Sequence, residues 1–168
     1  SDVLSNSQHR FVFADNQIVS LLKKTTVNLG DIADVVTGFY TGNNKEFIKA
    51  ASDTVKGAKN YEVIDQSMIV DNSSTDGEPN LSEAYIPFIK SASETRYVRN
   101  HEDWYVRWDS ETVSFYKADK KARFQNSDYY FKTGIGIPMV KSSKIKAFLM
   151  QNRVFDQSIA VSYTHLRA

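Results

Sequence analysis

The order of apolar and polar positions divides the chain into many short elements. Residues 10–14 (Arg-Phe-Val-Phe-Ala) predict a short extended segment. Asp15 or Asn16 then caps a helix running to about Lys24, with Ile18, Val19, Leu21 and Leu22 as its apolar stripe. Leu29-Gly30-Asp31 predicts a helical turn leading into a strand through Val36, which Gly38 ends. Phe47 to Val55 reads as a short helix, and Tyr61–Asp65 and Ser67–Val70 read as strands. The polar run from Asp71 to Glu83, with Asp-Gly and Pro79, is a loop.

The second half opens on Ile86-Pro87-Phe88-Ile89. Trp104–Trp108 and Thr112–Tyr116 flank Asp109-Ser110-Glu111, which predicts a hairpin. Tyr129 to Ile137 is aromatic and then glycine-rich. Ile145–Met150 and Val154–Val161 predict a strand pair around a turn at Gln151-Asn152-Arg153, with a helix over 143–150 as the alternative. There is no internal repeat and no Pro- or Gly-rich linker. The sum is a strand-rich α+β domain.

Composition narrows the picture. A chain of 168 residues suits one domain with a proper core. With 41% hydrophobic and 24% charged residues it reads as globular rather than disordered. Ten Phe, nine Tyr and two Trp favour strands and stacking surfaces over a helical bundle. The absence of cysteine excludes disulfides and thiolate–zinc sites and fits a cytoplasmic bacterial-type protein. No apolar run approaches the roughly 18 residues that a membrane helix needs, so no membrane partner is expected. The net charge of +1 is unevenly spread. From Lys117 to Arg153 nine bases stand against two acids, a local +7 that leaves −6 on the remainder. Such asymmetry suggests a side that faces a polyanion.

Candidate chemistry begins with GFYTGNNKEF, residues 38–47. A phosphate-binding P-loop needs two glycines five apart followed by Lys and Ser or Thr. Gly38 and Gly42 are four apart and Asn43-Asn44-Lys45 follows, so that pattern fails, as does the dinucleotide fingerprint. What stands is a glycine turn in which Asn43 and Glu46 have capping-box spacing, with backbone N–H groups placed to meet a phosphate. Phe131-Lys132-Thr133-Gly134-Ile135-Gly136 has only a superficial likeness to an S-adenosylmethionine glycine motif. Neighbours in His101-Glu102-Asp103 would point to opposite faces of a strand and cannot converge on one metal. His9 and His101 are the only credible histidines, which leaves no triad, and no (Asn/Asp/Ser)-Pro-Pro-aromatic signature occurs. No active site is expected in this chain. Basic residues interleaved with aromatics, from Arg96-Tyr97-Val98-Arg99 through Lys117–Arg123 to Lys141-Ser142-Ser143-Lys144, suit phosphate and base contacts.

Leu29–Gly38 followed by Tyr40-Thr41-Gly42-Asn43-Asn44-Lys45-Glu46-Phe47 resembles the start of the TaqI-like C-terminal specificity domain, the target-recognition domain of adenine-specific DNA methyltransferases and fused restriction–modification enzymes. Phe11–Lys24 resembles the connector that leaves the catalytic domain. Arg123-Phe124-Gln125-Asn126, Tyr130–Gly136 and Val154-Phe155-Asp156 resemble the family's later blocks, in the right order. The likeness spans residues 10–161. It implies a DNA methylase specificity-domain-like fold, with a strand-rich, mixed or antiparallel curved sheet and a few flanking helices. It also implies a sequence reader rather than a catalyst. The methyltransferase catalytic domain of the same parent chain, alone or fused to an endonuclease, would hold S-adenosylmethionine, and this domain would carry no cofactor or metal. Its partner would be double-stranded DNA. Phosphate contacts are expected from Lys45, Lys120, Lys121, Lys141 and Lys144, with backbone amides around Thr41, Gly42, Asn43 and Asn44. Base readers are expected among Arg96, Arg99, Arg123, Gln125 and Asn126. Residues 1–9 read as a linker remnant. The final VSYTHLRA resembles translated adaptor sequence, so 162–168 are expected to be a non-native tail. The rival readings are a metal-dependent nuclease fragment and a protein-interaction module with a basic face.

Overall fold

The computed structural model describes residues 4–5, 11–12, 24, 26–27, 29–71, 82–91, 97, 101–140 and 146–164. The chain forms two units, residues 1–33 and 34–168. In the first, β1 (Leu4–Ser5) pairs antiparallel with β2 (Phe11–Val12), and α1 (Leu29–Ile32) is a single turn. The expected extended segment at 10–14 thus appears as β2. Of the expected helix only its last residue, Lys24, is described, and it is helical; most of the loop at 71–83 lies outside the described residues.

β3 (Ala33–Thr37) stops one residue before Gly38, as the sequence predicts, and leads into the second unit. There follow α2 (Asn44–Phe47), β4 (Ile48–Ala50), β5 (Tyr85–Ile89), β6 (Trp104–Arg107), α3 (Ser110–Ala118), β7 (Gly134–Pro138), β8 (Phe148–Met150), β9 (Val154–Phe155) and β10 (Ile159–Thr164). They build two four-stranded sheets, ordered β3-β10-β7-β8 and β4-β6-β5-β9. The β4–β6, β5–β6, β7–β8 and β7–β10 pairs are antiparallel, while β5 and β9 run parallel. The class is α+β, and the β4-β6-β5-β9 sheet is mixed. No helix among the described residues is long and apolar enough to cross a membrane.

Aromatic packing explains the composition. Phe39 is fully buried, and the rings of Phe88, Trp108, Tyr116, Phe124 and Tyr130 surround it at centroid distances of 5.2 to 6.0 Å. The glycines of Gly134-Ile135-Gly136 serve the same core. A Cβ on Gly134 would lie 2.7 Å from Val161 Cγ1, and one on Gly136 would lie 2.6 Å from the Phe148 ring. Their spacing is strand alternation, with Gly134 and Gly136 inward and Ile135 and Ile137 outward.

Four local expectations are corrected. The predicted hairpin around Asp109 is a strand followed by a helix. Asp109 Oδ1 accepts the Thr112 N–H at 2.8 Å, and Thr112, Val113 and Tyr116 are buried along one helical face of α3. The cap and this burial override the strand preference of Thr, Val, Phe and Tyr. The helix expected over 47–55 ends at Phe47, because Ile48 and Ala50 pair with Val106 and Trp104 of β6. The strands expected at 61–65 and 67–70 reduce to single bridges, Val63 to Ala50 and Ile69 to Tyr85. Between them Asp65 starts a 3₁₀ turn by accepting the Ser67 N–H at 2.9 Å. β8 and β10 do not pair with each other across the 151–153 turn: both pair with β7, and β9 joins the other sheet. The helix alternative there fails at Phe148–Met150, which is strand.

The expected tail boundary at 162 falls inside β10. Ser162 is in register with Ile135, and the Tyr163 hydroxyl donates to the Tyr129 carbonyl at 2.8 Å.

Candidate nucleic-acid interface

The GFYTGNNKEF stretch is placed by close backbone approach. A Cβ on Gly38 would sit 1.7 Å from the Phe155 carbonyl oxygen, so only glycine lets the chain cross there. One residue on, Phe39 N–H donates to Phe155 O at 3.0 Å. Tyr40 then exchanges two backbone hydrogen bonds with Arg123, at 3.2 and 2.8 Å. That bridge lays the Thr41–Lys45 turn along the Asp119–Arg123 turn. Gly42 has φ +85°, and a Cβ there would be 3.0 Å from both Ala122 N and Asp119 Oδ2.

Each turn is held by its own side chains. Thr41 is fully buried, and its hydroxyl donates to Asn44 Oδ1 at 2.7 Å. The Asn43 carbonyl accepts the N–H groups of Glu46 and Phe47. The expected capping box takes a different form, in which Asn43 Nδ2 donates to Glu46 Oε2 at 3.0 Å, side chain to side chain. α2 is four residues long, too short for its dipole to matter. The N–H groups of Gly42, Asn43, Asn44 and Lys45 donate to no backbone carbonyl among the described residues. In the facing turn Asp119 accepts the Ala122 N–H at 3.1 Å. The sequence marks Asp119 only as the acid of Asp119-x-Lys121 inside a basic run; its turn role was legible too, since an Asp whose side chain meets a backbone N–H just downstream is a recognisable turn signal.

Of the expected phosphate and base contacts, the fold brings together Thr41, Gly42, Asn43, Asn44 and Lys45 with Lys120, Lys121 and Arg123. Lys45, Lys120, Lys121 and Arg123 are exposed. None of the four forms an ion pair among the described residues. The acids nearby, Glu46 and Asp119, are engaged with Asn43 and the Ala122 amide. Arg96, Arg99, Lys141 and Lys144 lie outside the described residues.

Gln125 is half-buried and Asn126 is exposed, and both spend side-chain donors on the end of β3. Gln125 Nε2 donates to Thr37 Oγ1 at 3.0 Å and to the Gly38 carbonyl at 2.9 Å, which uses both of its hydrogens. Asn126, at φ +56°, donates to the Thr37 carbonyl at 2.9 Å. The hydroxyl of buried Tyr130 donates to the Gln125 carbonyl, and Tyr129 donates to Asp34 Oδ2 at 2.8 Å. These side chains fasten the 119–130 segment to the end of β3. An adenine contact by Gln125 would require releasing one of its two bonds.

His101, Glu102 and Asp103 form a bend and irregular segment just before β6 and turn to different partners. His101 Nε2 meets Asp103 Oδ1 at 3.0 Å, while Glu102 pairs with Arg153 at 2.8 Å. Among the described residues no group of three or more His, Asp or Glu is placed to hold a metal. At the start of α3, Asp109 is buried with Arg107 Nε at 2.7 Å and the Thr112 hydroxyl at 3.0 Å. Burial pushes its carboxyl up, but the bonds from Arg107 and Thr112 outweigh burial and hold it below the ordinary carboxylate range. No protein-family model matches the chain, and no curated protein matches it.

Proposed function

We propose that this chain is a DNA target-recognition domain, the part of a restriction–modification or phage-defence adenine methyltransferase that selects the site. The observation that carries the reading is the juxtaposition of two turns about 80 positions apart, fixed by the Tyr40–Arg123 bridge. Together they present Lys45, Lys120, Lys121 and Arg123 without ion-pair partners among the described residues. Lysines and free backbone amides on one exposed ridge suit the phosphates of a nucleic-acid backbone. The resemblance of Leu29–Phe47 to the opening of a specificity domain supports the same reading, since this ridge is built from that block.

In this account Lys45, Lys120 and Lys121 grip phosphates, with the amides of Gly42 to Asn44 beside them. Arg123 reaches a base edge, in company with Arg96 and Arg99. Gln125 and Asn126 are positioning residues that hold Arg123 in place. The methyl donor and the flipped adenine belong to the parent's catalytic domain. Anisotropy of a labelled duplex, titrated at several salt concentrations, tests this. Binding alone should fall near the non-specific scale of about 10⁻⁴–10⁻⁶ M and weaken steeply with salt. Absence of binding even at low salt would overturn the proposal, and metal-dependent cleavage of the duplex would favour a nuclease instead.

A further inference from the structure

A second cationic feature lies where the ends of β5 and β6 meet the β9–β10 connection. A cavity of about 200 Å³ opens there, lined by Lys56, Lys90, Asn44, Asp156 and Ser158 among others. Lys90 is held in an unusual way. Its ammonium sits 4.0 Å from the Tyr61 ring centroid and 4.2 Å from that of Trp104, and donates to the Tyr61 hydroxyl at 2.9 Å. Two ring faces fix the cation and displace part of its water, yet they accept no directed hydrogen bond. One of its three N–H donors has a hydrogen-bond partner among the described residues.

The cavity is net positive. Lys56, exposed at the rim, adds a second ammonium. The single acid in the lining is Asp156, 6% exposed, with Oδ1 accepting the Ser158 N–H at 2.8 Å. Lys90 and Asp156 form no ion pair, so neither cancels the other by contact. Asn44 spends its side-chain oxygen on Thr41, which leaves Nδ2 to donate. The volume falls below the roughly 300–1,000 Å³ typical of sites for drug-sized ligands. The fixed Lys90 ammonium and the rim ammonium of Lys56 together repel a cation.

We infer that this cavity is an oxyanion site, in which Lys90, Lys56 and Asn44 bind one phosphate group. The phosphate comes either from a DNA backbone or from a free anion. The cavity and its affinity for an oxyanion do not depend on the DNA reading, although Asn44 belongs to both sites.

Sulfate is the probe, because its charge does not change near neutral pH. Titration at constant ionic strength, followed by ¹⁵N–¹H shifts of the intact chain, should give saturable movement at the Gly57 and Ser158 amides. Lys56→Ala and Lys90→Met should each weaken binding about tenfold, the worth of one charge-assisted hydrogen bond. Asp156→Asn, which removes the one negative charge, should tighten it. Lys56 is exposed, so its variant keeps the test decisive if Lys90→Met does not fold. No saturable shift, or equal affinity in all variants, would overturn the site. Displacement of sulfate by a short duplex would identify a backbone phosphodiester as the source; a bound duplex that leaves sulfate in place would identify a free oxyanion. Sulfate binding without any DNA binding would sink the target-recognition reading and leave this site standing.

Discussion

Gly38 shows how much one residue decides. No side chain fits between the chain and the Phe155 carbonyl, so Gly38→Ala must push two backbones apart. It should cost about 3 kcal/mol or more, measured by urea denaturation, where an exposed glycine would cost far less. Asp109 makes an equally local prediction. Asp109→Ala removes the cap of α3 and takes from Arg107 its shorter carboxylate contact, leaving Glu83 at 3.7 Å, a loss of about 2–4 kcal/mol. Because the fold holds the Asp109 carboxyl below its unfolded value, its stabilisation is complete above that value. It is lost as pH falls below about 4. Asp109→Asn should therefore flatten the acid limb of the stability profile. Asp156 acts with the opposite sign. Burial raises its carboxyl against Ser158 and Lys90, so its contribution is present below about pH 4 and fades as pH rises. Asp156→Asn should raise the urea midpoint at neutral pH more than at about pH 3, and the reverse ordering would contradict this.

At the scale of elements, legibility depended on whether the decisive partner was local. The turn-then-strand of Leu29–Thr37 could be read because its signals, a helical turn and a terminating glycine, sit next to each other in the chain. The hairpin expected around Asp109 failed because Val113 and Tyr116 carry strand propensity but are buried by a core the sequence does not display. Likewise Ile48 and Ala50 are strand only because β6 lies beside them. The candidate site divides the same way. Its cationic residues were visible as composition, whereas the fastening role of Gln125 was not, since its partners Thr37 and Gly38 are 88 and 87 positions away. Gln125→Ala should cost about 1–2 kcal/mol of stability by leaving the Gly38 carbonyl short of a donor. On the proposed function it should also weaken duplex binding without altering the salt slope, because it contacts no phosphate.

For the whole molecule, the central idea is that the +7 asymmetry of the Lys117–Arg153 segment acts together with the Thr41–Lys45 turn. A Lys120→Ala, Lys121→Ala double variant should bind duplexes of any sequence more weakly, and the slope of log K against log salt should flatten by about 2. Arg123→Ala should instead cost about 1–3 kcal/mol and relax preference at one base position, once a preferred site is found by selection. The most direct measurement is a ¹⁵N–¹H titration of the chain with duplex DNA at low salt. The account predicts that the amides of Gly42 to Lys45 and of Lys120 to Arg123 move together, with one shared affinity. Binding that shifts other amides and leaves both turns unmoved would contradict it.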